Sequence, residues 1–537
     1  MSGKEAYEIH DLEGNVDRSQ SSSEHVGSTN SEKKNPYVDV EDQEYEDEQY
    51  ASGVAEKSRL GWCRRAVATL LDKAETKGVE PVTDEEKTDI SPWGPASMWF
   101  SANMVIAAYS LGALGPLVFS LNFGTSVLTI VFFNLLGLVS VAFFSIFGAE
   151  FGLRQMVLSR FLLGNLTARA FAFINVIACV GWGVVNTIVS AQLLHMINSG
   201  GNQCPPWAGC LIIIGATVLI TFFGIRIIHA YERWSWVPNF AVFLVIIARL
   251  AKNGSFQNGE WTSGPSTAGG VLSFGSAIFG FASGWTTYAS DYTVYMKKEA
   301  NKYKIFFTFV LCLAFPLFFC MILGAASAMG TFNNTTYADY YNNYSIGGLT
   351  YAILVPDSLH GFGQFCCVLL ALSTVANNIP NMYSVALSAQ ATWEPLAKIP
   401  RVVWTLAANG ATLGISIAAY YKFENFMENF MNSIGYYLAI YISIALSEHF
   451  IYRKGFKGYD IDQWNRWDLL PIGIAGCSAL FVAGFGVALG MSQTYWTGEI
   501  GRLIGDFGGD IGFELGAGFA FIVYNVLRPL EIKYMGR

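Results

Sequence analysis

From Ala96 to Arg528, apolar residues gather into twelve stretches separated by short polar connections. Each is close to the roughly 17–25 residues that a helix needs to cross a bilayer. The stretches run over about 96–120, 125–148, 170–197, 208–226, 235–251, 270–292, 303–329, 361–390, 400–420, 430–450, 468–491 and 508–528. This pattern predicts an all-α integral membrane fold of twelve transmembrane helices. Residues 1–95 read differently: they lack sustained apolar periodicity and hold the serine run Ser21 to Ser23 and the acidic run Glu41 to Glu48. They are expected to form an acidic, mostly disordered cytoplasmic tail, with a short amphipathic helix over Leu60 to Leu71 presenting Arg64 and Arg65. The domain organisation expected is therefore a tail (1–95), a transporter domain (96–528) and a short cytoplasmic C-terminus (529–537).

Composition sharpens the class. Of 537 residues, 52% are hydrophobic and 14% charged, which excludes a soluble enzyme, a disordered chain and a nucleic-acid binder. The net charge of −8 belongs to the tail: residues 1–95 carry 11 Lys+Arg against 22 Asp+Glu, and the rest carry 22 against 19. Met1 to Tyr50 is polar and acidic rather than a basic region followed by an apolar core, so no cleavable signal peptide is expected and insertion begins at an internal helix.

The cations also orient the bundle, because cytoplasmic loops hold the excess of Lys and Arg. With the N-terminus inside, the inner loops and the C-terminus hold 18 Lys and Arg, among them Arg154, Arg160, Lys302, Arg453 and Arg528. The outer loops hold four: Arg249, Lys252, Lys422 and Arg502. Both termini are thus expected in the cytoplasm. The sequons at Asn253, Asn333, Asn334 and Asn343 fall in loops that this topology places outside, where glycosylation would make the chain a glycoprotein.

Catalytic and metal motifs are missing. None of the six His has metal-ligand spacing, no Gly-x-Ser-x-Gly occurs, and the nine Cys are scattered. Only Cys204 and Cys210 share a short loop, and two free thiols is the favoured reading over a disulfide. No metal and no organic cofactor is expected.

Transporters of inverted repeats carry interrupted helices at matching places in their two halves. Here the first segment reads Ser101-Ala102-Asn103 followed by Gly112, Gly115 and Pro116, and the sixth carries Gly275, Gly280 and Gly284 around Phe274 and Trp285. The two segments lie one five-helix repeat apart. Mid-membrane polar groups add to this, since an unpaired amide is expensive in hydrocarbon. The third segment puts Trp182 and Asn186 on one face at i, i+4. The eighth holds Asn377, Asn378 and Asn381 around Pro380, a proline expected to break the helix. Two indoles and several neutral amides suit a planar, uncharged, hydrogen-bonding ligand. An indole face stacks on a heteroaromatic ring, and an Asn amide pairs with a base edge.

At these residues the chain closely resembles the fungal purine-cytosine permeases of the nucleobase:cation symporter-1 family. The resemblance covers Ala74 to the C-terminus and is carried by Ser97-Met98-Trp99-Phe100-Ser101-Ala102-Asn103, Cys179-Val180-Gly181-Trp182-Gly183, His229-Ala230-Tyr231-Glu232, Gly284-Trp285-Thr286-Thr287-Tyr288 and Ala376-Asn377-Asn378-Ile379-Pro380-Asn381-Met382-Tyr383. It implies a five-plus-five inverted-repeat fold like that of the leucine transporters, with discontinuous helices one and six. It further implies proton-coupled import of cytosine, adenine, guanine and hypoxanthine across the plasma membrane. Carried over, Trp182 and Trp285 would stack on the base, and Asn186 and Asn381 would hold it. Ser101 would be a further contact; Asn377 and Asn378 lie in the same motif, and Asn103 ranks below them.

For coupling, Glu232 is the first candidate, with Asp291, Glu150, Glu448 and Glu514 as alternatives. A sodium-coupled member would instead need a cage of carbonyls and hydroxyls between helices one and eight, where Ser373 and Thr374 supply hydroxyls. Two other readings stand beside the importer: the same carrier with vitamin B6-like or nucleoside cargo, and a non-transporting nucleobase receptor. Tail lysines such as Lys33 and Lys34 would offer sites to ubiquitin-ligase machinery.

Overall fold

A computed structural model describes residues 79–198, 201, 203–222 and 233–537, all within the compact unit Leu70–Arg537. Glu232, Lys33, Lys34 and the helix expected over Leu60 to Leu71 lie outside the described residues.

Within the described residues, each of the twelve apolar segments contains a helix. The first is two helices, α1 (Trp93–Asn103) and α2 (Ile106–Leu117), bent by 52° at Met104 and Val105. The second is α3 (Phe123–Phe151), and a short α4 (Gln155–Leu163) leads into the third, α5 (Asn165–Met196). Then come α6 (Pro206–Phe222), α7 (Trp236–Asn253) and α8 (Pro265–Ser283). The sixth segment ends as a 3₁₀ turn, Thr286–Tyr292, so it is discontinuous like the first. After it follow α9 (Lys302–Met329), α10 (Thr335–Leu354), α11 (Gly361–Thr392), α12 (Arg401–Ala419), α13 (Phe423–Ser447), α14 (Ile474–Gly490) and α15 (Gly512–Met535).

Local chemistry sets several of these boundaries. The Asn122 side chain accepts the Thr125 N–H at 2.7 Å and starts α3, and Gly152 at φ 66° ends it. Among the described residues, seven stretches are long and apolar enough to cross a bilayer alone, and the bent α1–α2 pair makes an eighth. One of the seven, Arg401–Tyr452, holds both α12 and α13; α6 and α14 fall just short at 17 residues each.

The repeat appears in the helix crossings. Gly324 of α9 lies so close to α2 that an added Cβ would sit 1.9 Å from the Tyr109 carbonyl oxygen and 3.2 Å from the Ala113 nitrogen. At the matching place in the other half, Gly137 of α3 lies on α8, where a Cβ would sit 3.1 Å from the Phe279 carbonyl oxygen and 2.9 Å from the Ser283 nitrogen. Segment seven thus crosses segment one as segment two crosses segment six, each through a glycine that admits the neighbouring backbone. The third and eighth segments, α5 and α11, share the broadest contact in the bundle. Outward-facing apolar side chains recur along α3 at Leu128, Phe132 and Leu136, as a lipid-facing stripe requires.

The structure redraws some expected boundaries. Residues 79–91, assigned to the tail, lie against the bundle: the Val82 N–H bonds the Gly152 carbonyl at 2.9 Å and Asp89 bonds across to Tyr295 and Lys297. The last helix continues to Met535, so most of 529–537 is helical. Two helices, α4 and α10, sit in stretches read as connections. Cys204 and Cys210 are both free thiols.

Candidate functional site

The centre of the bundle is built where α1, α5, α11 and the end of α8 meet. Trp182 and Trp285 face each other with their rings 14° from parallel and 6.3 Å apart, centroid to centroid. A flat ring sandwiched at two van der Waals contacts needs about 7 Å between the two faces, so the indoles must part to admit one. Each indole is held by other aromatics. Phe281 and Phe430 set their edges against Trp182 at 5.0 and 5.7 Å. Trp99 lies 4.4 Å from Trp285, whose Nε1 donates to Asn103 Oδ1 at 3.2 Å. Glycines make the room: a Cβ on Gly284 would lie 2.5 Å from the Trp182 ring, and one on Gly181 would lie 2.1 Å from Phe430.

Beside the indoles lies an amide cluster with no exposure to solvent. Asn186 Nδ2 donates to Asn377 Oδ1 at 2.8 Å and Asn378 Oδ1 at 2.9 Å. Asn381 Nδ2 donates to the Asn377 backbone oxygen at 2.9 Å, and Asn381 Oδ1 accepts from the Tyr288 hydroxyl at 2.8 Å. Asn377 Nδ2 ties the cluster to the first segment through the Ala102 carbonyl at 2.7 Å. Four buried polar atoms here have no partner within the protein: Trp99 Nε1, Trp182 Nε1, Asn186 Oδ1 and Ser101 Oγ. Such orphans are rare in native interiors. A ligand carrying both donors and acceptors would satisfy them.

The structure therefore brings Trp182, Trp285, Asn186, Asn381, Asn377, Asn378 and Asn103 into one connected network, with Ser101 in the last turns of α1. It departs from expectation at Pro380, which lies inside the unbroken helix α11. The proline removes one N–H, yet the helix, buried against its neighbours, runs on to Thr392. The alternative carboxylates are mostly committed elsewhere. Glu150 pairs with Lys302 at 2.8 Å, Glu448 with Arg528 at 3.0 Å, and Asp291 accepts the Gln155 N–H at 2.7 Å. Glu514 keeps one buried oxygen without a partner, on α15, which packs on α13 and α14.

Sequence reasoning passed over Trp99, Tyr288 and Asn239. The first two are aromatics in apolar runs that stand in the same motifs as Asn103 and Trp285, the signal that could have found them. Among the described residues no group of His, Cys, Asp or Glu is arranged to hold a metal ion. The arrangement offers two near-parallel aromatic faces beside neutral hydrogen-bonding groups.

Comparison with known proteins shows the family and the fold. The family model described as permease for cytosine/purines, uracil, thiamine, allantoin matches residues 81–498. The chain is 71% identical over 493 residues to the purine-cytosine permease FCY2 of Saccharomyces cerevisiae, covering 92% of each chain. It is 48% identical over 467 residues to the purine-cytosine permease fcyB of Emericella nidulans, covering 86% of this chain and 90% of that one. Among solved structures, Mhp1, a nucleobase-cation-symport-1 family transporter in a closed conformation with bromovinylhydantoin bound, superposes with a TM-score of 0.64. That match covers 86% of this chain and 96% of Mhp1 at 14% identity, a likeness of fold.

Proposed function

The chain belongs to the family of permeases for cytosine/purines, uracil, thiamine and allantoin, and on that premise we propose that it imports cytosine and purine bases together with protons. It is a multi-pass membrane transporter of nucleobases and not an enzyme. In this reading the cargo includes adenine, guanine and hypoxanthine, the membrane is the plasma membrane, and both termini are cytoplasmic.

The observation that carries the binding step is the pair of near-parallel indoles beside buried amides. The base slides between Trp182 and Trp285, gaining about 1–3 kcal/mol from stacking on each face. Its edge takes the acceptor of Asn186 and the amide of Asn381, with Ser101 as a third contact; each hydrogen bond adds about 0.5–1.5 kcal/mol. After ordering costs this sums to roughly micromolar affinity, tight enough to capture a base and loose enough to release it. Asn377 and Asn378 hold Asn186 in place rather than reading the base. Alternating access then follows from the two broken segments, whose half-helices pivot about the site. A proton needs a titrating carboxylate, and Glu232 is the residue proposed for it, carried by the same motif that marks the family.

The reading is tested by uptake of labelled cytosine and adenine into cells lacking their own permeases, at acidic and near-neutral external pH, with and without a protonophore. Saturable uptake of both, favoured by acid and lost with the protonophore, is expected. Uptake indifferent to pH and protonophore would overturn the proton coupling, and no uptake by surface-localised protein would overturn the cargo.

A further inference from the structure

The break in the first segment leaves backbone groups without helical partners, which is costly where no water is at hand. The structure satisfies three of them with neutral side chains from two other segments. Asn377 Nδ2 takes the Ala102 carbonyl at 2.7 Å, and Asn239 Nδ2, from α7, takes the Met104 carbonyl at 3.1 Å. The Ile106 N–H donates to Ser373 Oγ at 3.2 Å. All three side chains are buried, Asn239 at 2% exposure.

These are the carbonyls and hydroxyls from which a sodium cage between helices one and eight would be built. Each of them already has a hydrogen-bond partner within the protein. Ser373 Oγ accepts from Ile106 and donates its proton to the Leu370 carbonyl at 2.6 Å, and Thr374 Oγ1 shares a hydrogen bond with Ser190 Oγ at 2.7 Å. The Met104 carbonyl, the group at the break itself, points to an amide N–H where a cation cage would have an ion. An amide donor and a monovalent cation offer the same thing to a carbonyl, a positive end at short range.

We propose that Asn239 is a positioning residue that clamps the break of the first segment in place of a coupling cation, so that transport by this chain needs no sodium. The inference rests on the nucleobase-carrier reading and adds to it which ion is dispensable and which residue makes it so. An ionised carboxylate at position 239 would oppose the Met104 carbonyl with a second acceptor, a conflict that a bound cation resolves.

The test is initial-rate cytosine uptake in sodium and in choline medium at one external pH, with surface protein quantified in parallel. Wild type is expected to transport equally in both, within about twofold. Asn239→Leu, similar in size but without a donor, should lose at least about tenfold in maximal rate at unchanged surface level. Asn239→Asp should be stimulated at least about threefold by sodium over choline, a response that a purely structural role would not produce. Wild-type uptake that requires sodium, wild-type rates in Asn239→Leu, or an Asn239→Asp variant indifferent to the salt would each overturn the clamp while leaving the carrier standing. Wild type that reaches the surface and takes up no cytosine would sink the carrier reading and the clamp with it. If neither variant reaches the surface, the sodium indifference or dependence of the wild type decides.

Discussion

At the break of the first segment, Asn377, Asn239 and Ser373 reach in from the eighth and fifth segments to take the Ala102 and Met104 carbonyls and the Ile106 N–H. At the break of the sixth, from Gly284 to Tyr288, the backbone bonds to itself, and side chains reach in at the far end of the turn, where Arg154 donates to the Asp291 carbonyl at 2.6 Å and Gln155 Oε1 accepts the Ser290 N–H at 3.2 Å. The Gly284 N–H bonds back to the Phe281 carbonyl at 3.2 Å, the Tyr288 N–H bonds to the Trp285 carbonyl at 3.3 Å, and the chain tightens into a 3₁₀ turn. The first break is thus stapled to its neighbours by side chains. The sixth is left narrow, and Gly284 lets the Trp182 ring approach it. Matching interruptions in two halves of a repeat have been put to different uses: one orders the polar groups, the other supplies a stacking surface.

Removing the staple should do the most damage. Asn377→Ala deletes the donor to Ala102 and the acceptor that holds Asn186, and leaves buried amides unpaired. Cytosine uptake should fall by about 100-fold or more with surface protein retained, read by labelled uptake and surface labelling together; a fall below about threefold would break the contrast between the two breaks. Filling the sixth break comes next. Gly284→Ala places a methyl 2.5 Å from the Trp182 ring and should raise KM for cytosine about tenfold while leaving the protein stable to detergent extraction. The smallest effect sharpens the contrast. Tyr288→Phe removes one hydrogen bond to Asn381 and keeps the ring packing, so KM should shift by only about two- to fivefold. A hundredfold loss there would mean that the sixth break, too, works as a polar staple.

The helices were legible from hydropathy because a bilayer demands long apolar runs, and the pair of interrupted segments was legible from their glycines, although the first break falls at Met104 and Val105 while Gly112, Gly115 and Pro116 lie inside α2. Trp182, Asn186, Asn377, Asn378 and Asn381 stood out as polar or amphipathic side chains where hydrocarbon penalises them. Other features had no such signal. Trp99 and Tyr288 look like any core aromatic, and Asn239 is a lone amide in the fifth segment whose meaning depends on a carbonyl 135 positions earlier in the chain. Helices α4 and α10 were missed because neither has the length and apolarity of a span, and hydropathy alone reports only spans. Pro380 misled in the other direction: a proline costs a helix one hydrogen bond, but a helix buried on several sides tolerates that loss without breaking.

The central claim is that a base lies between Trp182 and Trp285 and is held by Asn186 and Asn381. Its most direct test is equilibrium binding of labelled cytosine to the purified chain, compared with Trp182→Leu and Asn381→Ala. Saturable wild-type binding near micromolar, weakened at least about tenfold by each substitution in folded protein, is the result predicted. Wild-type affinity in both folded variants would contradict it and place the cargo elsewhere in the bundle.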